Sequence, residues 1–261
     1  MLFWVLVALA LLALAAIFFM LFRSLWKSIL SAIGIVFAML LILSVMVFFD
    51  AKNFAEKSKG PGQLFILEEN GRMLAGVKDL LVQDDGEGKE SKKILANEEF
   101  QRYSSLYEKK DYNGMLDNNY KVFFVDMEAF ASLTDDDLKE YGAFTKESIS
   151  KILMSEDAVG AYVDDIVKNS GIAEEQQAFL REKLIMESPE EVEFRSTMFM
   201  MLLAASLKSK GPLFIAMQYR KGNIKAYPET IFFKALNVMP EALFSRLQDS
   251  AMQPAQKNKQ E

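Results

Sequence analysis

The chain has 261 residues, a formal net charge of −6, and neither cysteine nor histidine. Without cysteine it forms no disulfides or thiolate metal sites, and without histidine it lacks the usual zinc ligand and general base at neutral pH. These absences exclude Ser-His-Asp and Cys-His hydrolases, His-ligated haem, and zinc peptidases that bind the metal through two histidines.

The N-terminal part of the chain is apolar apart from one short basic break. Met1–Phe22 and Ile29–Phe49 are each about 20 residues long, enough for a helix to cross a hydrocarbon core of about 30 Å. Arg23 and Lys27 lie in the break between the two runs. The pattern predicts a two-helix transmembrane hairpin over residues 1–50.

A secretory signal peptide is the main alternative for the first run. Such a peptide has a basic n-region, an apolar segment of about 7–15 residues and a small-residue cleavage site. No basic side chain precedes the first run, the run is longer than that segment, and a second run follows it at once. We therefore expect both runs to remain as membrane helices.

Several residues of the two runs are typical of a membrane anchor. Those expected at the membrane interface are Trp4, Arg23, Trp26 and Lys27. Gly34 and Ala38 are small, and small residues let two membrane helices pack closely. Neither run contains a charged side chain, so an anchor is expected and a channel or pump is not.

The basic residues around the runs predict an orientation. The positive-inside rule places Arg23 and Lys27 in the cytoplasm, which puts the residues after Asp50 outside. The lysines that follow the second run favour the opposite orientation: Lys52, Lys57 and Lys59. Because the first helix usually dominates, we expect the domain after the hairpin to be extracytoplasmic.

The rest of the chain is acidic. Residues 51–62 are predicted to form a polar linker, residues 63–250 one soluble domain, and residues 251–261 a disordered tail. The charged residues before position 51 contribute +1, so the remainder carries −7. An acidic domain is a poor candidate for binding nucleic acid, whose phosphates require a basic surface.

Two β-hairpins are predicted around glycine turns. The first joins Gln63–Glu68 to Arg72–Val77 through Asn70-Gly71, and the second joins Leu213–Arg220 to Asn223–Tyr227 through Lys221-Gly222. Tyr120–Val125 is predicted as a central strand. Together they predict an α+β domain with a small, mainly antiparallel sheet of about five strands covered by helices.

The dipeptide Gly-Pro precedes both predicted hairpins, at Gly60-Pro61 and Gly211-Pro212. Gly-Pro is a common way to enter a strand, which is the simpler explanation of the repeat. The alternative is a duplicated hairpin unit.

Helices are predicted to dominate after residue 134. Capping patterns place helix starts at Thr134, Thr145, Ser155 and Ser188, and aromatic spacing predicts an earlier helix over Asn97–Lys110. The apolar stretch Met198–Ala205 is about 8 residues, too short to cross a bilayer. It is therefore predicted to be part of a buried core helix.

Ser148 and Lys151 are the candidate catalytic residues. They match the Ser-x-x-Lys spacing in which a lysine acts as base for a serine nucleophile on a helix. Both residue types are common, the segment also fits a capped surface helix, and no second motif supports the dyad. A surface helix is the simpler interpretation.

The candidate metal ligands are Asp84, Asp85 and Glu87, whose carboxylates suit Mg²⁺ or Ca²⁺. They lack the alternate spacing of a Ca²⁺ loop, and the three aspartates after Thr134 are already explained by a helix start. No metal site is predicted. The chain also has no phosphate-binding glycine loop, so no cofactor is predicted.

The favoured function is a non-enzymatic, membrane-anchored protein whose acidic domain binds another membrane or surface protein. An added strand at an open sheet edge, or a helix face, is the expected mode of contact. One alternative is a membrane-tethered hydrolase that uses carboxylates or Ser148 and Lys151, which a shared cleft would favour. Another is an accessory subunit of a larger membrane complex, which lateral contacts through Gly34 and Ala38 would favour.

Overall fold

The structure, a computed structural model, is α+β and describes residues 2–57, 61–79, 93–141, 144–169, 174–187, 190–211 and 213–245. The chain divides into two compact units, Met1–Ala51 and Lys52–Glu261. The first unit is most of one long helix, and the second contains the sheet and the other helices.

The first helix, α1 (Leu2–Lys57), runs through the basic break without interruption. The predicted two-helix hairpin is therefore wrong. Both apolar runs lie in this one helix, and the described residues contain no second apolar helix that pairs with it as a hairpin. Residues 23–28 include neither glycine nor proline, so none of them breaks a helix. At 1.5 Å per residue, the 56 residues extend over about 84 Å.

Part of α1 is long and apolar enough to cross a membrane. This segment, Trp26–Phe54, has 29 residues and a mean hydropathy of 2.9, and its most apolar window is 0% buried. An apolar helix near an N-terminus is compatible with a membrane span and with a signal sequence.

The second unit is built on a five-stranded mixed sheet in the order β3-β2-β1-β4-β5. The strands are β1 (Gln63–Glu69), β2 (Arg72–Lys78), β3 (Lys93–Ile94), β4 (Lys121–Asp126) and β5 (Ile224–Tyr227). The central pair, β1 and β4, is parallel, and the other pairs are antiparallel. The parallel pair makes the sheet mixed.

The helices after α1 include two short ones, α3 (Tyr112–Leu116) and α4 (Asp135–Leu138). The longer ones are α2 (Asn97–Glu108), α5 (Lys146–Met154), α6 (Ala158–Asn169), α7 (Glu174–Glu187), α8 (Glu191–Lys210), α9 (Leu213–Lys221) and α10 (Ile231–Val238). Short 3₁₀ turns cover Met127–Phe130 and Lys139–Tyr141, and residues 241–245 are also helical.

The first predicted hairpin is confirmed. Strands β1 and β2 pair antiparallel and are joined at Asn70 and Gly71, which have φ values of 51° and 75°. Positive φ at both central residues is the geometry of a type I′ turn, whose twist matches that of the flanking strands.

The second predicted hairpin is wrong, because its first arm is helix α9. Ala216, Met217 and Gln218 favour a helix, and the buried positions do not alternate as in a strand: Phe214, Ile215, Ala216, Gln218 and Tyr219. Only the second arm is a strand, β5. The Gly-Pro repeat thus precedes a strand once and a helix once, so it does not mark a duplicated hairpin.

The sheet separates two apolar clusters, because successive side chains of a strand point to opposite faces. Phe65 and Phe123 stack with ring centroids 4.8 Å apart in the larger cluster, which includes residues of α8. Ile66 and Phe124 lie in the smaller cluster with residues of α2 and α3. The stretch Met198–Ala205 lies within α8 and contributes to the larger cluster, which confirms the predicted core helix.

Within the second unit, the last turn of α1 packs against the larger cluster. The ring of Phe54 lies 6.3 Å from Phe123, 5.7 Å from Phe232 and 5.2 Å from Phe233 between centroids. Residues 51–57, which were predicted to be linker, are instead the end of α1. Phe54 packs against the larger cluster of the second unit.

Two predicted helix starts are confirmed by their hydrogen bonds. Asp137 accepts from both the backbone amide of Thr134 (2.9 Å) and its hydroxyl (2.8 Å). Thr145 accepts from the backbone amide of Ser148 at 3.1 Å. Each contact satisfies a polar group that the end of a helix would otherwise leave unpaired.

Candidate functional site

The predicted site residues lie in separate parts of the chain. Asp84, Asp85, Glu87 and the side chain of Trp4 are outside the described part, and Arg23, Trp26, Lys27, Gly34 and Ala38 lie along α1. Ser148 and Lys151 lie one turn apart on α5. Among the residues that the structure describes, no group of three acidic side chains is placed to hold a metal ion.

The corner between α5 and α6 is held by two charged residues of α8. Arg195, which is 8% exposed, donates to the carbonyl oxygens of Leu153 (2.5 Å) and Ser155 (2.6 Å) at the C-terminal end of α5. Glu191 accepts from the amide of Ala158 at the start of α6 (2.7 Å) and from Arg195 (2.8 Å). The pair thereby satisfies the unpaired groups of both helix ends and fixes the corner.

Sequence reasoning missed this pair. Its only signal is a glutamate and an arginine four residues apart at the start of an otherwise apolar helix. That spacing is usually a surface ion pair, and nothing in the sequence shows which helix ends will lie beside it.

A cleft of about 330 Å³ lies between α5 and α6. Charged and hydroxyl side chains dominate its lining, among them Ser148, Lys151, Asp157, Asp164, Asp165 and Lys168. The structure therefore brings both candidate catalytic residues into one cleft. It also adds Asp165, which the sequence interpretation did not connect with Ser148.

The hydrogen bonds of this cleft differ from those of a serine-lysine dyad. The hydroxyl of Ser148 donates to the Oδ2 atom of Asp165 at 2.8 Å. Within the described part of the chain, no hydrogen bond joins Lys151 to Ser148. A dyad requires the lysine amine to receive the proton of the serine hydroxyl, and here that proton is directed to a carboxylate. The cleft is polar and serine-containing, but its dyad is not assembled.

Helix α7 packs on α6. Arg181 donates to Asp164 on α6 at 2.7 Å, and a second hollow of about 490 Å³ lies between the two helices. Leu180 and Leu184 are half-buried on the side of α7 that also carries Arg181. This inner side attaches the helix to the domain.

The opposite side of α7 is exposed and partly apolar. We call it the outer face of α7 and define it by Phe179, Glu182 and Met186, which share one side of the helix by their i, i+3, i+7 spacing. Phe179 and Met186 are each 73% exposed, and the adjoining Ile185 is 40% exposed. Large apolar side chains grouped on a soluble surface are typical of interaction sites.

The described sheet edges leave little room for an added strand. At the β2 edge, the amide of Gly76 donates to Ser196 (3.2 Å) and its carbonyl accepts from Leu95 (3.1 Å). At the β5 edge, Ile224 and Ala226 are buried, and Lys225 between them carries an exposed charge that disfavours an added strand. Of the two expected modes of contact, the geometry therefore favours a helix face.

Three lysines meet beside the 3₁₀ turn that follows β4. Burial lowers the pKa of the Lys210 amine, with further lowering by Lys221 and Lys146, while Asp137 acts in the opposite direction. Lys210 contacts the hydroxyl of Ser132, and Lys146 donates to the carbonyl of Ala131 at 2.7 Å. Contacts to the residues that follow the turn give Lys146 and Lys210 a structural role.

On α1, the Gly34 and Ala38 face is open. A Cβ atom added at Gly34 would meet nothing within 4 Å, and Ala38 is exposed. Arg23, Trp26 and Lys27 are exposed as well. Their expected contacts, with lipid or with another helix, stay predictions.

Comparison with known proteins gives no match to a protein-family model, to a curated protein or to a solved structure.

Proposed function

We propose that this protein is a membrane-anchored, non-catalytic binding protein that engages another protein through the outer face of α7. The observation that carries the proposal is the exposure of two large apolar side chains on one side of a helix at the periphery of an acidic domain. Phe179 and Met186 each remain 73% exposed, while the larger core cluster of the same unit contains phenylalanines that are fully buried.

The composition of α7 supports a second packing partner. Leu180 and Leu184 on the inner side suffice to attach an amphipathic helix, whose other side is normally polar. Here the other side also carries apolar residues, so the helix has the pattern of one that packs on two sides. Covering a phenylalanine or methionine side chain contributes about 1.5–3 kcal/mol, which gives the outer face a substantial capacity for binding.

Anchoring by α1 strengthens such an interaction. The apolar segment Trp26–Phe54 is suited to a retained membrane helix, and it would confine the domain to a thin layer at the membrane surface. Confinement raises the effective concentration of the domain toward other membrane proteins, so a small contact face can suffice.

The proposed orientation places the domain outside the cytoplasm. Arg23 and Lys27 at the start of the span favour it, and Lys52 and Lys57 at its end oppose it. Because the chain contains no cysteine, a single Lys221→Cys variant reports orientation directly. We expect a membrane-impermeant maleimide to label it in intact cells, and labelling only after lysis would reverse the orientation.

The binding function is tested by the mass of the complex that the full chain forms in mild detergent. We expect the wild type to co-purify with a stoichiometric second component and the double variant Phe179→Ser/Met186→Ser to lose it. Val238→Ser is the matched control, because Val238 is 81% exposed on a different helix. Equal complexes from the wild type and the double variant would refute binding through α7, and a free monomer in every case would refute the binding function.

A membrane-tethered hydrolase is the second candidate function. It is supported by the cleft that Ser148 and Lys151 share, and by the carboxylate of Asp165 that already orients the Ser148 hydroxyl. In this mechanism Ser148 is the nucleophile and Lys151 accepts its proton after rotation of the hydroxyl away from Asp165. A fluorophosphonate probe would then label the wild type and not Ser148→Ala or Lys151→Ala. Absence of labelling in the wild type counts against this candidate.

An accessory role in a larger membrane complex is supported by the length of α1. Its 56 residues extend over about 84 Å, whereas a hydrocarbon core is about 30 Å thick. The apolar part of α1 that exceeds this thickness is available to pack against other membrane proteins. The exposed face with Gly34 and Ala38 suits close helix packing. Large substitutions such as Gly34→Leu would then release the chain from its complex without changing membrane retention.

A further inference from the structure

We propose that Lys146, Lys210 and Lys221 form a binding site for a phosphate group. The site lies on helices other than α7 and does not depend on the partner proposed above. Its basis is the convergence of three ammonium groups within a domain that is acidic as a whole.

The three lysines belong to three different helices, and we call them the lysine cluster. Lys146 is the first residue of α5, Lys210 is the last residue of α8, and Lys221 is the last residue of α9. Since these positions are far apart in the sequence, only the fold brings their ammonium groups together. The cluster therefore offers donors from several directions, as a compact oxyanion requires.

Two lysines of the cluster are held in place and still have donors to spare. The Lys146 ammonium donates to the carbonyl oxygen of Ala131 at 2.7 Å, and the Lys210 ammonium contacts the hydroxyl of Ser132. An ammonium group has three N–H donors, so each of the two retains donors for a ligand. Because these side chains are already positioned, binding costs less conformational entropy.

The third lysine is the most accessible. Lys221 is exposed, and within the described part of the chain no hydrogen bond or ion pair joins its amine to another side chain. A Cβ atom added at Gly211 or Gly222 would meet nothing within 4 Å. Gly211 follows Lys210 and Gly222 follows Lys221, so the backbone beside both lysines leaves room for a ligand.

Like charges act on one another within the cluster. Burial lowers the pKa of the Lys210 amine, and the charges of Lys221 and Lys146 lower it further. Asp137 acts in the opposite direction, but its carboxylate already accepts from the amide and the hydroxyl of Thr134. A bound anion would relieve the repulsion among the ammonium groups, and a bound cation would increase it.

Other carboxylates close to the cluster in sequence also have partners. Asp135 accepts from the backbone amide of Lys146 at 2.8 Å, and Glu140 accepts from Lys208 on α8. Neither contact uses the ammonium group of a cluster lysine. The donors that remain on the cluster are thus left for an external anion.

Phosphate fits three ammonium groups better than a carboxylate does. A phosphate monoester has a charge of about −1.5 to −2 at pH 7 and three acceptor oxygens, whereas a carboxylate has a single charge and two oxygens. Lysine is a common phosphate ligand in proteins. The group can belong to a soluble phosphorylated compound or to a lipid headgroup such as that of phosphatidic acid.

Protection of the lysines from acylation tests the site in the full chain. The protein is held in phosphatidylcholine nanodiscs and treated with limiting sulfosuccinimidyl acetate, and mass spectrometry measures the modification of each lysine. Saturating inorganic phosphate is expected to slow modification of Lys210 and Lys221 about tenfold relative to chloride at equal ionic strength. Lys109, which is exposed at the end of α2, is expected to react equally in both salts. A second arm replaces dissolved phosphate by phosphatidic acid in the nanodisc.

One substitution in the cluster and one beside it give the matched comparison. Lys221→Gln removes an exposed, unengaged ammonium group, and it is expected to raise the phosphate concentration that half-protects Lys210 about tenfold. Lys208→Gln removes the same charge from the last turn of α8, where the amine is engaged by Glu140. It is expected to leave that concentration unchanged.

Each outcome decides the proposal. Protection by dissolved phosphate supports a site for a soluble ligand, and protection by phosphatidic acid alone supports a site for a lipid headgroup. Equal modification of the cluster lysines in phosphate and chloride, together with no effect of phosphatidic acid, would overturn the site. Equal effects of Lys208→Gln and Lys221→Gln would overturn it as well, because they would show a general effect of charge. None of these results bears on the complex formed through α7, which is measured separately.

Discussion

The central sheet and helix α7 place the same kinds of side chain in opposite surroundings. Phe123 is 0% exposed and stacks on Phe65, whereas Phe179 is 73% exposed on α7. The described sheet edges leave little room for an added strand, while the outer face of α7 has no cover within the described part of the chain. The difference indicates that stability resides in the sheet and its helices, and that the exposed apolar residues of α7 contribute little to it.

Removal of a sheet phenylalanine tests the stability side of this comparison. Phe123→Ala is expected to lower the free energy of unfolding by about 3–5 kcal/mol, because it leaves a cavity between Phe65, Phe233 and Phe54. The measurement is urea unfolding of the full chain in detergent, followed by near-UV circular dichroism. Phe123→Leu is the control and should cost much less. A loss below about 1 kcal/mol for Phe123→Ala would mean that this site is not tightly packed.

Removal of Arg195 tests the link between the stable core and the outer helices. Arg195→Met is expected to cost about 3 kcal/mol, because the carbonyl oxygens of Leu153 and Ser155 and the carboxylate of Glu191 lose a charged donor. Hydrogen exchange at the α5–α6 corner should rise more than exchange in the sheet. Arg195→Lys keeps the charge but not the planar fork, so an intermediate loss is expected. Uniform exchange throughout the domain would contradict a local role.

Much of the fold could be predicted where a local signal dominates. Asn70-Gly71 requires a type I′ turn, and Thr134 and Thr145 cap helices through their own neighbours. The failures occur where the signal is weak or distant. Leu213–Lys221 has apolar residues dense enough for either a strand or a helix, and the basic break in α1 includes no residue that ends a helix.

The candidate site was less predictable, because its parts meet only in three dimensions. Ser148 and Lys151 line one cleft, but the hydrogen bond from Ser148 to Asp165 joins residues of two different helices. The exposure of Phe179 could not be predicted either. An apolar residue in a helix is usually buried, and only the packing of α7 shows which of its two apolar sides faces away from α6.

The cap at the start of α4 gives a smaller, pH-dependent effect. Hydrogen bonds from the amide and hydroxyl of Thr134 lower the pKa of Asp137 in the folded protein. The stabilisation is therefore complete above the ordinary aspartate pKa of about 3.9 and is lost as the pH falls through the lower folded value. Asp137→Asn is expected to cost about 1 kcal/mol at neutral pH, with a difference from the wild type that shrinks in acid. Unfolding measured at several pH values checks this, and a difference that grows in acid would contradict it.

The smallest expected effect on the free energy of unfolding is that of a substitution in α7. Phe179→Ser should change the free energy of unfolding by no more than about 0.5 kcal/mol, because a side chain that is 73% exposed gives up little packing. Paired with Phe123→Ala in the same unfolding experiment, it tests whether one residue type contributes to folding in one region and to binding in the other. A loss of several kcal/mol for Phe179→Ser would show that Phe179 is covered within the chain itself. The outer face of α7 would then be part of the fold, and the case for a partner on this face would fall with it.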